Sequence, residues 1–280
     1  MKYEKEIILR PRSSILDINL KELWEYRDLV MVLVGKHFKM VYKQTILGPI
    51  WLVINPILTS IIFTFVFGNF AGISTDGVPP FLFYIAGSTI WGLFNNAVTN
   101  TANSFVQNKH LFTKIYFPRL AAPLSMVINA MLNFFIQLAA LLVFFVFYMI
   151  TGTPLKFTVQ MLLILPLAIQ TVMLALGVGL ISSSLTAKYR DFTLVIGLVM
   201  NLWMYITPVV YPMSLTDGWM SFILKLNPMT AIVSNFKWAF LGSGSFMAGS
   251  WVWSWFVTIA VLAVGIIAFS WIEKNFADNV

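Results

Sequence analysis

The chain has 280 residues, of which 59% are hydrophobic and 10% charged, with a mean hydropathy of +0.83 and no cysteine. Soluble domains carry about 25% charged residues, so this composition excludes them and describes a protein that crosses a membrane several times. The formal charge of +7 does not point to nucleic acid, because the cations sit in the first 43 residues and in short loops between apolar runs, where membrane orientation accounts for them. The lack of cysteine excludes a disulfide framework, a thiolate nucleophile and a cysteine-based metal centre.

Residues 1–19 read as a polar cytoplasmic tail. Met1 to Arg12 is charged and has no apolar core of the kind a cleavable signal peptide needs. Residues 20–47 read as an amphipathic interfacial helix. Lys21, Glu25, Asp28, Lys36, Lys39 and Lys43 recur at three- and four-residue steps, while Leu23, Val30, Val34 and Val41 mark the opposite face. The longest unbroken apolar stretch in it, Leu29 to Val34, is far short of the ~20 residues a span requires, so this helix is expected to lie along the membrane.

Six spans are expected over residues 48–272. The first, 49–68, carries Pro56, which should kink it. The second, 81–104, contains Asn95, Asn96, Asn100 and Asn103, amides that must face protein or water. In the third, 120–150, Ser125, Asn129, Asn133 and Gln137 fall on one helical stripe. The fourth, 158–185, has Ala175, Gly179 and Ser183 at four-residue spacing, which lets helices approach closely. The fifth covers 192–210 and the sixth 251–271. Between these two, residues 211–250 are apolar but broken by Pro212, Gly218, Lys225 and Pro228, and read as two short helices. One follows a possible cap at Asp217 and the other runs from Pro228 to about Leu241 behind an Asn227 cap. The second is too short to cross, which suggests a re-entrant pair forming an outer gate. The expected fold is therefore an all-α integral membrane protein of six transmembrane helices, preceded by an interfacial helix, with a re-entrant pair between spans five and six. Of 18 Lys and Arg, all but Lys156, Lys225 and Lys237 fall on the side of the N-terminus. The positive-inside rule then places both termini, including residues 273–280, in the cytoplasm.

No phosphate-binding loop is present, since Gly35-Lys36-His37 lacks both the upstream glycine and the following hydroxyl residue. His37 and His110 have no second histidine or carboxylate at ligand spacing, so neither a metal site nor a catalytic group is expected. The spans offer no Asp, Glu, Lys or Arg at mid-depth of the kind that ion coupling uses. Energy must come from a partner, or the protein is passive. Amides and aromatics (25 Phe, 10 Trp and 9 Tyr) fill the interior instead, a chemistry that suits sugars and equally suits helix packing and interfacial belts.

The run Tyr42-Lys43-Gln44-Thr45-Ile46-Leu47-Gly48-Pro49-Ile50-Trp51 with Asn55-Pro56, and the loop from Asn108 to Arg119, resemble type-2 ABC transporter permeases that export polysaccharides. Tyr189-Arg190-Asp191 and Thr207-Pro208-Val209-Val210-Tyr211-Pro212 extend the resemblance over nearly the whole chain. Lys36-His37 stands where that family often has an Arg-Asp pair. The resemblance implies a homodimeric permease in the cytoplasmic (inner) membrane that works with two copies of a separate ATPase. That partner would bind ATP and magnesium, and the pair would move lipid-linked O-antigen, capsule or teichoic-acid chains outward. A type-2 exporter of small hydrophobic compounds and a non-transport membrane scaffold are the alternatives. On this reading the inside segments 24–39 and 108–117 dock the ATPase, with Trp24, Tyr26, Arg27, Lys109, Leu111, Phe112 and Lys114 as contacts. The first and fifth spans line the channel, with Trp51, Phe65, Asn201 and Tyr205 on its wall, because a sliding polymer needs many weak contacts that are easy to leave.

Overall fold

A computed structural model describes residues 20–42, 48–105, 107–108, 117–189 and 191–277. Those residues are helical or in connecting turns, with no strand among them. Helices α1 (Leu20–Glu25) and α2 (Arg27–Tyr42) form the amphipathic arm. Glu25, Asp28, Lys36 and Lys39 are exposed, while Val30 and Val34 pack on Phe117 and on Ala121 at the head of α5 (Ala121–Ile150). Leu33, which the sequence pattern did not assign to the apolar face, is buried as well. The tail at residues 1–19, the Lys43 to Leu47 part of the run at residues 42–51 and Arg190 lie outside the described residues.

Helix α3 (Trp51–Phe63) starts from a 3-10 turn at Gly48–Ile50 and continues as a π-helical stretch, Thr64–Phe70. Pro56 lies inside it and has no N–H, so the Leu52 carbonyl loses its partner four residues on. Ser60 Oγ donates to the Pro56 carbonyl at 2.6 Å and Thr64 Oγ1 to the Ser60 carbonyl at 2.7 Å, side-chain bonds that compete with the regular ladder here.

The centre of the bundle is α4 (Pro80–Ala102), which starts on a proline in its first turn. It packs against α3, α5, α6 (Ile164–Lys188) and α9 (Pro228–Leu241), and Phe83, Ile90, Phe94 and Ala97 along it have no exposed surface. Helix α6 packs also on α10 (Ala248–Ala277). Small residues permit these approaches. A Cβ on Gly179 would lie 2.6 Å from the Thr101 side chain, and one on Gly265 would lie 2.5 Å from the Gly177 carbonyl oxygen.

Among the described residues, four stretches are long and apolar enough to cross a membrane: Gly48–Phe70, Ala121–Ile150, Val159–Lys188 and Ala248–Trp271. The 23-residue α4 has the length, but its serine, threonines and asparagines lower its hydropathy. Helix α7 (Phe192–Tyr205) is apolar and has 14 residues, about 21 Å at 1.5 Å per residue. It stops at Tyr205, short of the expected residue 210, because Pro208 cannot donate to Met204 and disfavours helical geometry in the residue before it.

Residues 211–250 hold the two short helices that the sequence predicts, α8 (Gly218–Leu226) and α9. Asn227 caps α9 by accepting from the Met229 N–H at 3.1 Å, whereas the Asp217 side chain makes no cap bond to α8. Gly242 closes α9 in the left-handed conformation (φ 71°), its N–H donating to the Trp238 carbonyl. Helix α9 is enclosed by protein, while α8 exposes Trp219, Met220, Phe222 and Ile223.

Candidate functional site

The sequence spreads asparagines over three helices, and the fold gathers them round one cleft. Asn55 of α3, Asn95, Asn96 and Asn100 of α4, and Asn129 and Asn133 of α5 border a cavity of about 550 Å³, with Gln137 one turn further along α5. It lies in the half of the bundle next to α2, whose His37 and Phe38 also border it. Among the described residues around it there is no lysine, arginine, aspartate or glutamate. Burial holds His37 below the ordinary histidine value of 6.5, which keeps the imidazole neutral at pH 7. The cleft is thus an uncharged surface rich in paired donors and acceptors. Trp91 supplies an aromatic group beside it, and α7 reaches it through Met204.

At the other end, α4, α9 and the turn after α7 are tied by a buried lysine. Lys237 of α9 is 3% exposed. Its Nζ donates to the Pro208 carbonyl at 2.7 Å and the Val209 carbonyl at 2.8 Å, and sits 3.5 Å from the centre of the Phe83 ring. Asn227 adds a second tie. Its side-chain oxygen accepts from Trp203 Nε1 at 3.1 Å, and its Nδ2 donates to Thr207 Oγ1 at 3.0 Å. A third runs through α6 and α10: Trp251 Nε1 donates to Gln170 Oε1 at 2.7 Å, Gln170 Nε2 to Ser254 Oγ at 2.8 Å, and Ser254 Oγ to the Pro228 carbonyl at 2.9 Å. Above these ties is a polar cavity of about 800 Å³ bordered by Asp76, Asp217, Lys225 and several serines.

Residues 28–241 match the family model described as ABC-2 type transporter. The chain belongs to the ABC-2 type transporter family. A relative from Klebsiella pneumoniae, the O-antigen export system permease protein RfbA, is 30% identical over 258 residues, covering 90% of this chain and 94% of the relative. A protein of the same name from Myxococcus xanthus is 29% identical over 221 residues, covering 78% of this chain and 82% of the relative.

Within this ABC-2 chain the four wall residues expected from the sequence lie on the protomer surface and do not share one cavity. Phe65 and Tyr205 are 66% and 54% exposed, and Trp51 and Asn201 are also exposed. Trp51 begins α3 near the amide cleft, whereas Tyr205 ends α7 and borders an apolar cavity of about 470 Å³ with Trp219 and Ile223 of α8. On α3 the face that carries Trp51 and Phe65 also exposes Leu58, Ile61 and Ile62. On α7 Leu194, Leu198 and Leu202 are exposed with Asn201 and Tyr205. Of the expected ATPase contacts, Trp24 is exposed, Arg27 lies over its ring at 5.8 Å, and Tyr26 is half-buried against the Val30 cluster. Lys109, Leu111, Phe112 and Lys114 fall outside the described residues. Sequence reasoning did not join the α4 and α5 amides into one cleft, although the α5 stripe was visible at four-residue spacing. It also counted Lys237 among ordinary outer cations.

Proposed function

We propose that the chain is the permease subunit of an ATP-driven exporter that moves lipid-linked polysaccharide outward across the cytoplasmic membrane. Two copies form the path and two copies of a separate ATPase drive it. The observation that carries this reading is the match to O-antigen export permeases over 90% of the chain. The interior supports it, because neutral amides and aromatics can hold sugar hydroxyls and ring faces without trapping a polymer. In this reading α4 and α7 join the four long apolar helices to make six spans. Helix α4 is compatible with a span because its polar groups face protein or the amide cleft. The pair α8 and α9 re-enters from the outer face, and the exposed faces of α3 and α7 meet the second copy or the transported chain. Helix α2 lies on the cytoplasmic side, where Trp24 and Arg27 are free to meet the ATPase.

The test is co-expression of the chain with its ATPase partner, followed by purification and transfer of a labelled lipid-linked glycan across proteoliposome membranes. Capture of the ATPase together with ATP-dependent transfer is the expected result. A correctly inserted chain that captures no ATPase would overturn the reading.

A further inference from the structure

Three side chains that border the amide cleft, His37, Ser88 and Asn129, each keep a buried polar atom without a hydrogen-bond partner: His37 Nδ1, Ser88 Oγ and Asn129 Oδ1. Buried polar groups are nearly always paired, so three such atoms round one cavity point to an occupant. Asn129 is the most informative of them. It is 2% exposed, and its Nδ2 donates to the Ser125 carbonyl at 3.0 Å. That bond fixes which end of the amide is which, since a carbonyl cannot receive an oxygen. The atom left over is therefore an acceptor, and its partner must bring a hydrogen.

This requirement separates two chemistries present in a lipid-linked glycan. An ionised pyrophosphate brings only acceptors, and among the described residues bordering the cleft there is no lysine or arginine to meet it. A sugar hydroxyl both donates and accepts, which suits the Asn129 oxygen, the Ser88 hydroxyl and the surrounding amides together. The volume of about 550 Å³ is within the range of small-ligand pockets. On the neighbouring wall Pro56 leaves the Leu52 carbonyl without its helical partner, and both residues border the cleft. We infer that the cleft between α3, α4 and α5 is a recognition site for a hydroxyl-bearing sugar unit, read through the Asn129 side-chain oxygen and not through a phosphate. The site is separate from the exposed Trp51, Phe65, Asn201 and Tyr205 surface, and the inference rests on the exporter reading above.

The experiment uses the nucleotide-free permease–ATPase complex and equilibrium binding of two radiolabelled probes, polyprenyl pyrophosphate and the same lipid carrying N-acetylglucosamine. Wild type is expected to bind the sugar-bearing probe at least about tenfold more tightly than the bare one. Asn129→Leu, close in shape and without the acceptor, should bring that ratio near one while leaving affinity for bare lipid and the melting temperature undiminished. Ser88→Ala should lower the ratio with little change in volume. Equal binding of both probes by wild type would overturn the inference. So would an unchanged ratio in Asn129→Leu, which would leave water as the occupant, or a loss of stability that carries both probes with it, which would make Asn129 structural. The exporter reading is judged separately, by ATP-dependent glycan transfer in the same preparation. If transfer occurs and the probe ratio is one, only the recognition site falls. If wild type moves no glycan, the exporter reading falls with it.

Discussion

Lys237 shows how one side chain can hold the α7–α9 end of the bundle together. A lysine cation is strongly hydrated, and placing it at 3% exposure is unfavourable unless its three N–H groups find partners. Two go to the Pro208 and Val209 carbonyls, which Pro208 frees by ending α7, and the Phe83 ring lies over the third side. Gly87 makes the room, because a Cβ there would sit 2.8 Å from the Val209 oxygen and 2.9 Å from Lys237 Cε. Lys237→Met retains the length of the stem and leaves both carbonyls without a donor. We expect it to lower unfolding free energy by about 1–3 kcal/mol, the usual range when buried partners are left unpaired, read as a lower melting temperature in detergent. Lys225→Met, which alters an exposed side chain on α8, should change it little. Equal melting of the two variants would mean that Lys237 does not carry the α7–α9 junction.

Among elements, contact between helices turns on where a Cβ is missing. Gly265→Ala would place its methyl 2.5 Å from the Gly177 carbonyl oxygen, and Gly177→Ala would place one 2.7 Å from the Leu262 nitrogen. The clashing atoms are backbone, so α6 and α10 must part, at a cost of about 1–3 kcal/mol for each change. Gly197→Ala on α7 meets nothing within 4 Å and should be neutral or slightly stabilising, about 0.5–1 kcal/mol, because alanine favours the helix. Thermal unfolding of the three single variants checks the order. The same comparison shows what was legible in the sequence and what was not. Ala175, Gly179 and Ser183 recur within one helix, so their packing face could be read from spacing, and the Asn227 cap could be read from the proline that follows it. Gly177 and Gly265 stand alone in different helices and meet only through tertiary packing. The amide cleft is of the same kind, since each helix shows its own asparagines and only the fold brings α4 and α5 face to face. Lys237 escaped because its partners are backbone carbonyls, which have no residue signature.

At the level of the whole molecule, α8 is tied at its C-terminal junction and presents an apolar face outward. The Asn227 ties fix its C-terminal junction to α7, while Trp219, Met220, Phe222 and Ile223 remain exposed. On the exporter reading proposed above, α8 lies at the outer end of the path, and an apolar surface of this kind is suited to close against its counterpart in a second copy and to part when a chain passes. The absence of native cysteine permits a direct test. With Met220→Cys as the sole cysteine, a short bis-maleimide should link two permease subunits in the membrane if their α8 helices face each other across the exit. The linked complex is expected to capture the ATPase as well as the unlinked one and to hydrolyse ATP. Glycan transfer, however, should fall to the level seen without ATP, because binding at the inner side is intact and only the outer movement is blocked. Linking at Lys156→Cys, on the turn after α5, serves as the control and should leave transfer unchanged. Undiminished transfer by the Met220-linked dimer would show that α8 is a fixed cap. Failure of the link to form, in a complex that transfers glycan normally, would place the two α8 helices too far apart to close on each other.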